Sequence, residues 1–509
     1  MTSSRALLFV EVDIDGKKRS KQARAHVARV NRQRQKQERQ EQKRDSETAR
    51  SAALTQRGHP AEASPLRRTI APVFGALKYD AFTTKESIEA AEIASFCFGP
   101  IMNSWLDPQY KPTWIAAFFN HPLVYHSLSF SVGILQDVSH NRAVQPRRLM
   151  HQIRTIQLVN QQLDQLDTVD HEPILLAIIS LWRISLDEVA EQRLVPLLFT
   201  PHLRQASFIA TFGRLGGDGS HPAALLQLVN RMGGLGKFKT LPSLQESLAL
   251  ADVLDSSANA TRPRFGNIWD TDSYLRQLKP ALRRVSGDIE GQGFFGKVPG
   301  GLPIEATTAL QHLGFVDKLL DDYSTRAVSQ TDDFYCAVLS NVAQHELLSL
   351  PPWEKLADRG TYVRSSYELC RVASMIYSNS VIFPMSPGSG WLDKLLRQLR
   401  DLVEISTEAT WDTDELPLLI WALVIGGVAA FWTGHRTFFL DTIRQALKQR
   451  GTFSLHDLLP GLRAFLWRDS TSMKGTLTVW EFMKMADGLG GPEKLQTILR
   501  SEQEEIGPQ

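Results

Sequence analysis

From about Ala81 onward, apolar residues recur at the three- and four-residue intervals of a helix with one buried face. The pattern predicts helices over roughly 84–97, 123–137, 148–164, 173–191, 241–255, 304–324, 334–349, 361–380, 414–432, 435–449, 456–468 and 474–486. In the segment 435–449, Phe438, Phe439, Ile443 and Leu447 fall on one face. The segment from 173 opens on Pro173, whose fixed φ suits a first helical turn. No evenly spaced alternating strands and no strand–helix–strand rhythm interrupt the series, and no repeat of fixed period emerges. The expected fold is all-α, a multi-helical body over 81–509.

The uncharged run Leu418–Trp432 is 15 residues long and is bounded by Asp412, Asp414, Glu415, His435 and Arg436. A membrane span needs ~20 apolar residues. The run is therefore expected to be a fully buried core helix, and no membrane partner is expected.

Ahead of the body the pattern changes. Residues 7–14 alternate, with Leu8, Val10, Val12 and Ile14 on one side and Phe9, Glu11 and Asp13 on the other. A short extended segment over 1–16 is expected, ended by the turn signal Asp15-Gly16. Glu11, Asp13 and Asp15 break the apolar run, so no signal-peptide core is expected there. Between Val10 and Val73 there are 64 residues without Phe, Trp or Tyr, whereas all 11 Trp lie beyond residue 100. Such a stretch buries too little apolar area to offset the entropy of ordering it. Residues 17–57 are thus expected to project from the body as a basic helix or to stay disordered. They hold no Gly or Pro up to residue 56 and are rich in strong helix formers. Gly58-His59-Pro60 and Ser64-Pro65 make 58–80 a linker.

Charge sharpens this division. The net charge of the 509 residues is +2, but residues 17–44 carry 12 Lys/Arg against 2 Glu, which leaves −8 on the remainder. On a helix Arg29, Arg32, Lys36, Arg39 and Lys43, spaced 3, 4, 3 and 4, share one face about 20 Å long. DNA phosphates repeat every ~3.4 Å along a strand, so such a face is suited to a backbone or a major groove. The expected DNA-contacting set is Arg24, Arg29, Arg32, Arg34, Lys36, Arg39, Lys43 and Arg44. Lys17, Lys18, Arg19 and Lys21 form a compact cluster of the nuclear-import type. A basic leucine zipper is excluded, because no leucine heptads follow Arg44 before Gly58.

Other chemistry finds little support. The three cysteines, Cys97, Cys336 and Cys370, are too few and too scattered for a disulfide framework or a Cys-rich zinc module, and they fit a reducing compartment. Gly291-Gln-Gly293-Phe-Phe-Gly296-Lys-Val298 matches the glycine loop of protein kinases. The lysine strand, H-R-D and D-F-G elements a kinase needs are missing downstream, so a plain loop is expected. Asp321-Asp322 and Asp332-Asp333 resemble the paired aspartates of helical terpene cyclases, but neither continues as D-D-x-x-D/E. They read as helix-end and N-cap carboxylates. His121 and His126 are five apart, His345-Glu346 lacks a second His at metal-ligand spacing, and Gly388-Ser389-Gly390 is not a nucleophile elbow. No catalytic, metal or cofactor site is expected, and an enzyme has no residues to stand on.

Several blocks, taken in order, resemble a fungal-specific transcription regulator family. They are Phe9-Val10, Arg24-Ala-His26-Val27 with the basic run to Arg44, Trp114-Ile115 with His121-Pro122-Leu123 and His126, Leu158-Val159-Asn160, and Ile178-Ile179-Ser180-Leu181. There follow Leu228-Val-Asn-Arg231-Met-Gly-Gly-Leu235, then Leu250-Ala-Asp-Val-Leu-Asp255 with Ala260-Thr-Arg-Pro-Arg264. Pro417-Leu418-Leu419 through Gly426-Gly427-Val-Ala-Ala430, then His435-Arg436, close the series. Many fungal regulators with a related helical body carry a six-cysteine zinc cluster, which three cysteines do not supply. The resemblance implies an all-helical regulatory domain acting on transcription in the nucleus, of a kind often found beside secondary-metabolite biosynthesis genes. DNA, through the basic segment, and other transcription proteins are the expected partners. The alternatives are a co-regulator or interaction protein that does not bind DNA, its basic segment serving import alone, and a helical enzyme.

Overall fold

The computed structural model describes residues 84–102, 106–140, 142–165, 169–182, 197–202, 209, 221–269, 298, 300–324, 330–356, 362–407, 414–451 and 454–486. The fold is all-α, and no strand occurs among the described residues. The helices are α1 Thr84–Phe96, α2 Lys111–Asn120, α3 Pro122–Ser139, α4 Pro146–Leu163, α5 Glu172–Trp182, α6 His221–Arg231, α7 Leu244–Asn259 and α8 Ile304–Ser324. They continue with α9 Gln330–Ser349, α10 Arg364–Ser380, α11 Trp391–Thr407, α12 Leu416–Ala430, α13 Arg436–Arg450, α14 Leu455–Arg463 and α15 Asp469–Ala486.

The chain divides into two units. One comprises Lys85–Thr155 and Asp170–Gln509, the other Met1–Thr84 and Ile156–Val169. In the second, the described residues are Thr84, the last turns of α4, a turn at residues 164–165 and Val169. Along those turns Val159 is buried while Ile156 and Gln157 are exposed.

In the larger unit, α12 is the centre of the core. It is apolar on every side, as the uncharged run predicts, and all its residues but Pro417 are buried. Helices α10, α11, α13, α14 and α15 pack around it. Close approach is possible where α12 has no side chain. A Cβ on Gly426 would stand 2.5 Å from Phe439 Cε1 of α13 and 2.9 Å from Leu399 Cδ2 of α11. The indole of Trp421 donates to Leu466 O at 2.9 Å, which ties the α14–α15 connection to the same core. The run's last residue, Trp432, lies beyond the helix and is exposed. Among the described residues no helix is long and apolar enough to cross a membrane.

Three helices are additional to the expected set, namely α2, α6 and α11. The last has a legible pattern, with Trp391, Leu392, Leu395, Leu396, Leu399 and Val403 buried. Its exposed face carries the i,i+4 pairs Arg397–Asp393 and Arg400–Glu404. The helix expected over 456–468 ends instead at Arg463, a few residues past Pro460, which lacks a backbone donor. Residues 464–468 form the connection, and α15 starts at Asp469, five residues ahead of the expected start. A carboxylate at a helix start suits the dipole there. The Arg463 guanidinium beside Asp469 holds its carboxyl below the usual carboxylate range. The expected helix from 173 is described from Glu172 to Trp182, and residues 183–191 lie outside the described residues.

Candidate functional site

The expected DNA-contacting residues Arg24, Arg29, Arg32, Arg34, Lys36, Arg39, Lys43 and Arg44 lie outside the described residues, as do Lys17, Lys18, Arg19 and Lys21 of the import cluster. The glycine loop from Gly291 to Lys297 does too. What the structure places is the body, and there it brings together groups far apart in sequence.

Several of the quoted sequence blocks prove to be structural joints. Asp252 and Asp255 on α7 hold Arg264 of the following Arg-Pro-Arg stretch. Arg264 Nη1 lies 2.8 Å from Asp252 Oδ1 and 2.8 Å from Asp255 Oδ2. The backbone N–H groups of Arg264 and Phe265 also donate to Asp252 Oδ2, at 2.5 and 2.9 Å. Burial nonetheless keeps the Asp252 carboxyl above its ordinary range. The block at 228–235 ends in a turn where Gly233 and Gly234 take φ of 88° and 97°, a region costly for other residues. Trp114 Nε1 donates to Pro242 O at 2.7 Å. Glu172 at the start of α5 accepts from the backbone N–H groups of Lys239, Thr240 and Leu241 at 2.5–2.9 Å.

A dense group of titratable side chains centres on Asp317 in α8. Its carboxylate accepts from Tyr377 Oη of α10 at 3.1 and 3.2 Å and from Arg468 Nε at 3.0 Å. His202 Nε2 stands 3.5 Å away. Tyr377 Oη also meets Thr471 Oγ1 at 3.3 Å. Burial, then the adjacent Asp317 carboxylate, holds the Tyr377 phenol well above its ordinary range. Asp321, one turn on, accepts from Ser470 Oγ at 2.6 Å, while Asp332 and Asp333 stand in the first turn of α9. Asp321-Asp322 is in the last turn of α8, a helix end as expected.

A second polar group is uncharged. Gln344 of α9 donates to Ser257 Oγ of α7 at 2.8 Å and to Asn379 Oδ1 of α10 at 2.9 Å, and it accepts from Ser378 Oγ at 2.6 Å. All four residues are buried. His345 Nε2 lies 3.0 Å from Phe265 O. Glu346 pairs with His312 at 2.6 Å. Among the described residues no three His, Cys, Asp or Glu side chains converge as a metal site.

His126 of α3 faces His151 of α4, Nδ1 to Nδ1, at 2.9 Å. Burial, and secondly the Arg154 guanidinium, push the His126 imidazole down to about 4. The unfolded chain takes up this proton as pH falls through about 6.5, whereas the native chain resists until about 4. Stability is thus expected to drop as pH falls from 6.5 to 4, and this contribution levels off below. Because the ring is partly exposed, the effect should be on the order of 1 kcal/mol. His126→Gln should flatten the fall of the urea midpoint across that window. An equal fall in both proteins would assign it to other groups.

The body also holds a partly enclosed cavity of about 90 Å³ between α3, α5 and α7 and the Cys97–Ile101 turn. Ile101, Leu128, Val132, Leu176, Ile179 and Leu254 are among its walls, and Ser131, Ser180, Ser247 and Cys97 are the polar residues among them.

The sequence reading assigned no role to Asp317, Gln344 or the cavity. A partial signal existed for Gln344, since polar Asn341, Gln344 and His345 in α9 and Ser374 and Ser378 in α10 occupy apolar helical faces. Comparison with protein-family models, curated proteins and solved structures finds none that matches this chain.

Proposed function

We propose that the chain is a nuclear transcription regulator of the fungal type, which contacts DNA through residues 17–44 and carries its regulatory and partner surfaces on the helical body. The observation that supports this reading most is the one-signed charge of 17–44, +10 in 28 residues, against −8 elsewhere. On a helix, its spacing would set Arg29, Arg32, Lys36, Arg39 and Lys43 along a phosphate backbone. Control of a secondary-metabolite gene cluster is the finer form of the proposal and rests on the resemblance alone. A second reading, a co-regulator whose basic segment serves only import, is favoured by one observation. The cysteines number three and are buried in the body, too few and too scattered for a six-cysteine DNA-reading zinc cluster.

The two readings part on salt dependence. Each phosphate contact lowers log K by ~0.9 per unit of log salt. In the full-length protein, replacing Arg32, Lys36 and Arg39 together by Ala is expected to flatten that slope by ~2–3 and weaken binding to all sequences alike. The triple variant keeps Lys17, Lys18, Arg19 and Lys21, so it should still enter the nucleus. Unchanged affinity and slope with loss of reporter control would replace DNA contact by recruitment of a protein partner.

A further inference from the structure

The cavity between α3, α5 and α7 differs from a packing fault in its chemistry and its construction. Its walls come from four separate stretches of chain, and none of the described residues that line it is charged. Its thiol, Cys97, is held neutral because burial raises its pKa far above the ordinary value. A charged ligand would lose its hydration there without a partner, so the site selects uncharged molecules.

The hydroxyls narrow the choice. Ser131 Oγ donates to Ser127 O at 2.9 Å, and Ser247 Oγ donates to Ser243 O at 3.0 Å. Each hydroxyl has committed its proton to its own helix and retains lone pairs as acceptors. A ligand that brings an O–H or N–H donor therefore complements them. Ser180, buried on α5, adds a third hydroxyl to the lining.

Size follows from volume. One water fills roughly 10–15 Å³ on this scale, so the cavity takes about six to nine atoms of that size, a one-ring molecule. The wall is also fixed in advance. Helix α7 is bounded by Ser243 and Ala260 at φ of 66° and 50°, and Asp252 and Asp255 clamp it to Arg264. A site held open this way costs little ordering when filled.

We infer that this cavity binds a small, uncharged, single-ring molecule with one hydrogen-bond donor, of the phenol class. The site is independent of the basic segment, and either can fail without the other.

The test uses the full chain labelled at its Ile, Leu and Val methyl groups. Titration with 4-methylphenol should shift methyl signals of Leu128, Val132, Leu135, Leu176, Ile179 and Leu254. Toluene, similar in size but without a donor, should bind about five- to tenfold more weakly. Benzoate should leave the signals unmoved. Ala251→Leu, which fills the cavity, should abolish the shifts. If that variant does not fold, the wild-type shifts decide alone. Absence of shifts with millimolar 4-methylphenol, shifts confined to other methyl groups, or shifts that survive in folded Ala251→Leu would overturn the site. Equal affinity for toluene, or binding of benzoate, would overturn the assigned ligand class.

Discussion

Gly426→Asp is expected to abolish most soluble production of the protein. The residue is in the middle of α12, where every neighbour in the helix is buried. A Cβ alone would stand 2.5 Å from Phe439 and 2.9 Å from Leu399, so these side chains must shift before any carboxylate is added. Overpacking of that kind costs about 1–3 kcal/mol. The surrounding side chains, Leu399 and Phe439, offer the carboxylate no hydrogen bond, and burying it unpaired brings the total to about 4 kcal/mol or more. Gly434→Asp is the control, because an added Cβ there meets nothing within 4 Å. It should change stability by no more than about 0.5 kcal/mol. Soluble yield and urea midpoints for the pair decide the matter. If the Gly426 variant matches the parent, α12 is not the core helix described above.

The second large effect is at Asp317. Asp317→Ala removes the shared acceptor of Tyr377 and Arg468 while leaving both donors in place. The phenol is fully buried, and the guanidinium also lies 3.4 Å from Gly314 O of α8. Breaking a buried pair from one side costs about 3–5 kcal/mol, because the remaining charge loses a buried counter-ion. Tyr377→Phe, which deletes one neutral donor, should cost about 1–2 kcal/mol. The double variant should cost clearly less than the sum, since the two share one interaction. Additive costs in chemical denaturation would show that the two groups do not act together. By contrast the exposed pair Arg463–Asp469 should be worth at most about 1 kcal/mol, although its distance of 2.5 Å is short.

The fold class was legible because helical periodicity is local. The burial of α12 could be read from a run of 15 uncharged residues, and the helix 304–324 from its apolar spacing alone. Pro460 was visible as well, yet the helix expected there ran past it, since apolar Leu462, Phe465 and Leu466 continue the period across the break. Helix α11 shows the opposite error, because its period was present and went unassigned.

The sequence by itself determined the helical class, the buried run at 418–431 and the separation of a basic segment from an acidic body. These are properties of short windows, set by side-chain period, charge and the absence of aromatics. Only the tertiary structure decided which polar residues meet. Asp317 and Arg468 are 151 residues apart, and Gln344 and Ser257 are 87 apart. A lone Asp or Gln on an apolar helix face carries no sign of its partner until packing removes water and forces each donor to find an acceptor. The cavity is likewise a property of how α3, α5 and α7 meet. Its lining residues are ordinary core residues in sequence, and the space among them exists only once the helices are fixed.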